Sequence, residues 1–143
     1  MVVMIKYFLM TFLIMCGPVS AESYRLDNLM VENAFAYPTN GKSGAGYLSL
    51  INEGPEDVLI GVTGNFPRVM VHESVIKDGL TTMQHRMAVK VPARGQLEFE
   101  PGSHHVMFMG LAEHWRVGDE IEVTLKFKIA GHLDIKFLVI PRP

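Results

Sequence analysis

The sequence predicts an all-β protein with an antiparallel sandwich or barrel, and three observations lead to this prediction. Residues 120–128 alternate polar and apolar side chains with the period of two that marks a half-buried strand. Short segments of similar character recur along the chain and are separated by turns rich in glycine and proline. No stretch of ten or more residues shows a helical period. Regularly spaced strands of this kind are typical of antiparallel β-sandwiches and barrels.

Ten segments are expected to form strands, and a local turn signal bounds most of them. Asn40-Gly41, Gly54-Pro55, Arg94-Gly95 and Pro101-Gly102 are such signals, and Asp78-Gly79 is the strongest. A type I′ hairpin turn requires positive φ at both central residues, which an Asp-Gly pair tolerates well. In chain order the expected strands are 29–36, 45–52, 57–63, 69–76, 80–86, 88–91, 96–99, 105–109, 120–128 and 133–139.

Residues 1–21 are expected to be a secretory signal peptide. Lys6 precedes an apolar run over 7–16, and Val19-Ser20-Ala21 offers small residues before a cleavage point. Cys16, the single cysteine, lies inside this segment and follows Met15, whereas lipid attachment would require a small residue there. We therefore predict one domain over 22–143 that acts in the periplasm, with no stable membrane insertion after cleavage and no disulfide or thiolate site. The net charge of −2 does not favour nucleic acid as a partner.

Four residues predict a metal site: His72, Met83, His105 and Met107. Ten residues separate the first pair, twenty-one separate Met83 from His105, and one separates His105 from Met107. Imidazole and thioether groups together form a soft donor set, which selects Cu(I) among biological metals. His105 and Met107 share one face of their strand because side chains two apart point the same way.

A structural alternative exists for each of these residues. Methionine commonly fills gaps in protein cores, and a single surface histidine is usually only solvated. Five of the six methionines after residue 21 nevertheless lie between Met70 and Met109, close to four histidines, and this clustering favours ligation. The neighbouring soft residues are interpreted as packing, outer-shell or solvated groups; they are Met70, Met87, Met109, His85 and His104.

The pattern resembles the signature of the PCuAC family of periplasmic copper chaperones, H(M)-x10-M-x21-H-x-M. The segment 71–73, the Asp78-Gly79 and Pro101-Gly102 pairs, the segment 105–111 and Gly118-Asp119 share in this resemblance. The optional methionine after the first histidine is Glu73 here, and the Met/His-rich C-terminal tail of some members is missing from this sequence. The resemblance implies a cupredoxin-like antiparallel β-sandwich of Greek-key type that binds one Cu(I) per chain. It also implies delivery of copper to respiratory oxidase assembly, notably to the CuA centre, through an oxidase subunit or another assembly factor.

Two other functions fit the same residues. A periplasmic copper buffer or resistance protein would need the same four ligands. A β-sandwich interaction module without metal would use the methionines and histidines only for packing. An enzyme is not expected, because no serine elbow, His-Glu-x-x-His helix or glycine-rich phosphate loop occurs. The lack of cysteine after residue 21 also argues against a blue-copper electron carrier, which requires a thiolate ligand.

Overall fold

The computed structural model describes residues 22–143, and all regular secondary structure in this range is β-strand. The predicted signal peptide lies outside the described residues. Within 22–143, no helix has the length and hydrophobicity needed to cross a bilayer. The strands are β1 Tyr24–Leu26, β2 Leu29–Ala36, β3 Ser43–Asn52, β4 Asp57–Thr63, β5 Arg68–Lys77, β6 Leu80–Arg86, β7 Val89–Val91, β8 Gly95–Phe99, β9 His104–Met109, β10 Glu120–Phe127 and β11 His132–Val139.

The strands form one curled sheet in the order β6-β5-β9-β8-β3-β2-β11-β10-β4-β7, with β1 added beside β2 and a further pairing between β9 and β3. The inward side chains of opposite walls pack into one apolar core, in which Phe108 contacts the rings of Trp115 and Phe137 edge to face. β6 forms one edge of the sheet. The all-β sandwich predicted from the sequence is therefore confirmed.

Apart from strand ends that shift by one or two residues, the sheet differs from the prediction in two respects. β1 was not predicted, because three residues are too few to show a period, and it pairs with β2 across a turn in which Asp27 has a φ of 49°. Two pairings, β11 with β2 and β8 with β9, are parallel rather than antiparallel. Neither pair is joined by a two-residue hairpin, so turn geometry does not determine the direction of pairing.

Asp57, at the start of β4, connects this strand to the turn between β10 and β11 through hydrogen bonds. The residue is only 4% exposed, and its carboxylate accepts hydrogen bonds from the backbone N–H groups of Val58, Ile129 and Ala130, at 2.7, 2.9 and 2.9 Å. Burial raises the pKa of Asp57, but these three donors outweigh that effect and hold the pKa below its ordinary value. The charged carboxylate is therefore the form that stabilises the fold.

We expect Asp57→Asn to lower the free energy of unfolding by about 2 kcal/mol, because an amide cannot satisfy all three buried donors. The wild-type contribution should be present above an aspartate pKa of about 3.9 and lost as the pH falls through the lower pKa of the folded state. Urea unfolding at neutral pH and near pH 3 measures both effects. The neighbouring exposed Glu56→Gln serves as the control, and equal stability of the two variants would contradict this role for Asp57.

Candidate metal centre

The β5–β6 hairpin turns at Asp78-Gly79, as the sequence predicts. Both residues have positive φ, at 53° and 76°, and Lys77 pairs directly with Leu80. A two-residue turn fixes the register of both strands. As a result, Met83 lies opposite Ser74, two residues along β5 from His72, and folds back beside the His72 strand.

β9 pairs with the other side of β5 and aligns two pairs of soft donors. His72 lies opposite His105, and Met70 lies opposite Met107. The intervening Val71 and Val106 also face each other and are buried in the core. Because strand side chains alternate, the histidines and methionines occupy the outer face of the sheet, on the side predicted from the sequence.

A cleft of about 310 Å³ on this face brings three of the four predicted ligands together. Met83, His105 and Met107 line it, together with Tyr47 and Arg142. His72 is not a lining residue, but its ring centroid is 5.7 Å from that of His105. Exposure falls sharply across the group: the Met83 side chain is 61% exposed, His72 and Met107 are half-buried, and His105 is 4% exposed.

Two buried imidazole nitrogens of the site have no hydrogen-bond partner among the described residues. They are Nδ1 of His72 and Nε2 of His105. The other nitrogen of His105, Nδ1, lies 3.2 Å from the carbonyl oxygen of Ser103. A carbonyl can only accept, so this contact places the proton on Nδ1 and leaves the Nε2 lone pair free. Ligating histidines are commonly oriented in this way by a backbone carbonyl, so His105 is suited to bind a metal ion.

Residues 29–139 match the family described as "Putative lipoprotein LpqE-like". The chain belongs to this family. A protein named "Putative lipoprotein Lxx21020", from Leifsonia xyli subsp. xyli, is 30% identical over 115 residues, which are 77% of this chain and 69% of the relative.

Solved structures of PCuAC domains share the fold of this LpqE-like chain. The "Copper-bound PCuAC domain from PmoF2" is 22% identical with a TM-score of 0.70, and the match covers 85% of this chain and 99% of that domain. "CuI-DR1885 from Deinococcus Radiodurans" is 24% identical with a TM-score of 0.61, over 84% of this chain and 81% of that protein. The resemblance to PCuAC domains inferred from the sequence is therefore confirmed at the level of the fold.

The electrostatic surroundings keep His72 of this LpqE-like chain neutral. Burial lowers the pKa of His72, and the neighbouring His105 and His85 lower it further because like charges repel. A neutral imidazole has a lone pair available for a metal ion. His72 is therefore in its ligating form at neutral pH.

An ion pair on the inner face holds β6 against β5. Arg86 Nε and Nη2 lie 2.6 and 2.5 Å from the same carboxylate oxygen of Glu73. Both side chains are partly shielded from solvent. Because Met83 is three residues before Arg86 on the same strand, this contact supports the hairpin on which Met83 is presented.

His85 lies near the site, although the sequence analysis did not interpret it as a ligand. It lies opposite His72, with the ring centroids 5.9 Å apart, whereas Met83 lies opposite Ser74. The Asp78-Gly79 signal could have identified it, since a two-residue turn pairs residue 77 with 80 and therefore 72 with 85. Within the range 22–143, no three His, Cys, Asp or Glu side chains are grouped to hold a metal ion.

Proposed function

We propose that this LpqE-like protein is an exported Cu(I)-binding metallochaperone that holds one ion with His72, Met83, His105 and Met107. The observation that carries the proposal is the cleft lined by Met83, Met107 and His105, because the buried Nε2 of His105 has a free lone pair. Thioethers and imidazoles select a soft ion, and none of the four groups adds a negative charge that would favour Cu(II). The protein acts as a carrier and not as an enzyme.

The names of the structural relatives support copper as the cargo. One solved PCuAC domain is described as copper-bound, and the relative from Deinococcus radiodurans is described as holding CuI. Both share the fold of this chain, and the soft donors of this chain provide the chemistry that such an ion requires. The difference in exposure between Met83 and His105 also suits a carrier, because one ligand stays within reach of a partner.

The signal segment and the ligand chemistry point to the same compartment, the periplasm. We propose cleavage after Ala21, because Met15 before Cys16 does not fit a lipid-attachment site, although the family description contains the word lipoprotein. Extracytoplasmic spaces oxidise thiols, so a carrier that uses thioethers avoids disulfide exchange. The proposed acceptor is a copper-binding subunit of a respiratory oxidase, at its CuA centre, or another copper assembly factor.

We expect Met107→Leu and His105→Gln to weaken Cu(I) binding by more than the roughly 10–100-fold that loss of an outer-shell partner costs. Competition with a chromophoric Cu(I) chelator under anaerobic conditions measures this. Met30→Leu, on β2 and outside the cleft, is the matched control. Cu(I) should also raise the midpoint of thermal unfolding, because it binds only the folded state. Undiminished binding by both site variants would remove the assigned site, and no binding at all would favour an interaction module.

Copper affinity should depend on pH because protons compete with the ion for the two imidazoles. The pKa of His72 is lowered, so its competition begins only below the ordinary histidine value of about 6.5. Affinity should then fall by up to roughly tenfold per pH unit for each competing histidine. Chelator competition between pH 7.5 and pH 5 measures the profile, and Met107→Leu should weaken binding without changing its slope. A flat profile would show that the histidines are not ligands.

Delivery and buffering predict different phenotypes when the gene is deleted in its own organism. Delivery predicts loss of cytochrome c oxidase activity that added copper restores, because the CuA centre is then filled without the carrier. Complementation with the Met30→Leu variant should restore oxidase activity, whereas complementation with Met107→Leu should not. The N-terminal residue of the exported protein should be Glu22. Copper sensitivity with normal oxidase activity would instead identify a buffer.

A further inference from the structure

Four methionines lie on the outer face of three adjacent strands, a fifth follows the edge strand directly, and the proposed site uses only two of the five. Met107 and Met109 are on β9, Met70 is on β5, and Met83 and Met87 are on or immediately after β6. The residues that alternate with them on β5 and β9 point into the core. The three remaining thioethers therefore do not serve the interior of the protein.

Strand register aligns Met70 with Met107, and Met87 follows the strand on the other side of β5; we call these three residues the methionine row. Met70 pairs directly with Met107. On the other side of β5, the last pair of the ladder is Val71 with Arg86, and Met87 follows Arg86 directly in the bend that ends β6. Neighbouring strands lie about 4.8 Å apart, and opposite Cβ atoms lie about 4.5–5.5 Å apart. Flexible thioether side chains at this spacing can converge on one ion above Met70.

The surroundings of the methionine row suit a soft cation near the surface. Met70 and Met107 are half-buried, whereas Met87 is 81% exposed. On one side the row adjoins His72 and its pair with His105. On the other side Arg68 lies opposite Met109, and its positive charge disfavours a cation there. Along β5, the row therefore lies between the histidines of the proposed copper site and Arg68.

We propose that the methionine row forms a second, all-thioether Cu(I) position through which the ion leaves the protein. This inference rests on the proposed function, because Met107 belongs to both ligand sets. The ion remains Cu(I) throughout: bonds to Met70 and Met87 sulfur form as the bonds to His72 and His105 nitrogen and to Met83 sulfur break, and no electron or proton is transferred. Since Met107 is shared, one ion occupies one position or the other, and the stoichiometry stays at one per chain.

The test uses purified protein labelled with ¹³C at the methionine methyl groups and titrated with Ag(I), a soft monovalent ion that does not change oxidation state. Single Met→Leu variants assign the signals. In the wild type, up to one equivalent of Ag(I) should shift the methyl signals of Met70 and Met87 as well as those of Met83 and Met107. The methyl signal of Met30, on β2, should not shift. In a His72→Gln/His105→Gln variant, the methionine row should become the main binding set.

Adding Met70→Leu and Met87→Leu to that histidine variant should abolish the remaining Ag(I) binding, whereas adding Met30→Leu should not. If the histidine variant does not fold, the wild-type titration decides alone. Shifts confined to Met83 and Met107 would overturn the methionine row and leave the proposed copper site intact. No shift at any methionine would overturn both. Shifts that extend equally to Met30 would show unspecific binding and also overturn the row.

Discussion

The pairing of β5 with β6 on one side and with β9 on the other determines the position of all four candidate ligands. Side chains alternate along each strand, so a slip of one residue would turn the imidazoles and thioethers into the core and the valines out to solvent. Val71 and Val106 lie almost fully buried against each other across this ladder. Hydrophobic burial on the inner face therefore enforces the geometry of the candidate ligands on the outer face.

Much of the outer face could be predicted from the sequence because the relevant signals are local. The alternation of valines with Met70 and His72 predicts that these two side chains share the outer face of β5. Asp78-Gly79 predicts the hairpin that returns Met83 beside β5. The same turn also determines that His85 lies opposite His72, a consequence that the spacing of the four candidate ligands does not reveal. Local patterns thus predict the strands and their faces well, but they predict less completely which residues lie next to each candidate ligand.

The remaining features depend on contacts between distant parts of the chain. The pairing of β5 with β9 joins segments separated by three intervening strands, and no turn signal specifies its register. The burial of His105 likewise requires Tyr47 from β3, whose ring centroid lies 6.5 Å away, and the carbonyl of Ser103. The parallel pairing of β11 with β2 joins opposite ends of the described chain. Each of these features follows from how the whole sheet curls and not from a short stretch of sequence.

The steep gradient in exposure also orders the sulfur atoms by their vulnerability to oxidants. Met83 and Met87, on and beside the edge strand, are 61% and 81% exposed, whereas Met107 is half-buried. Oxidation to the sulfoxide converts a soft sulfur donor into a polar group, and the change is reversible by methionine sulfoxide reductases. Oxidative damage would therefore fall first on the outermost strand, where a repair enzyme can reach it, while the inner histidine is spared. The molecule thus places its most easily damaged methionines where they are also most easily restored.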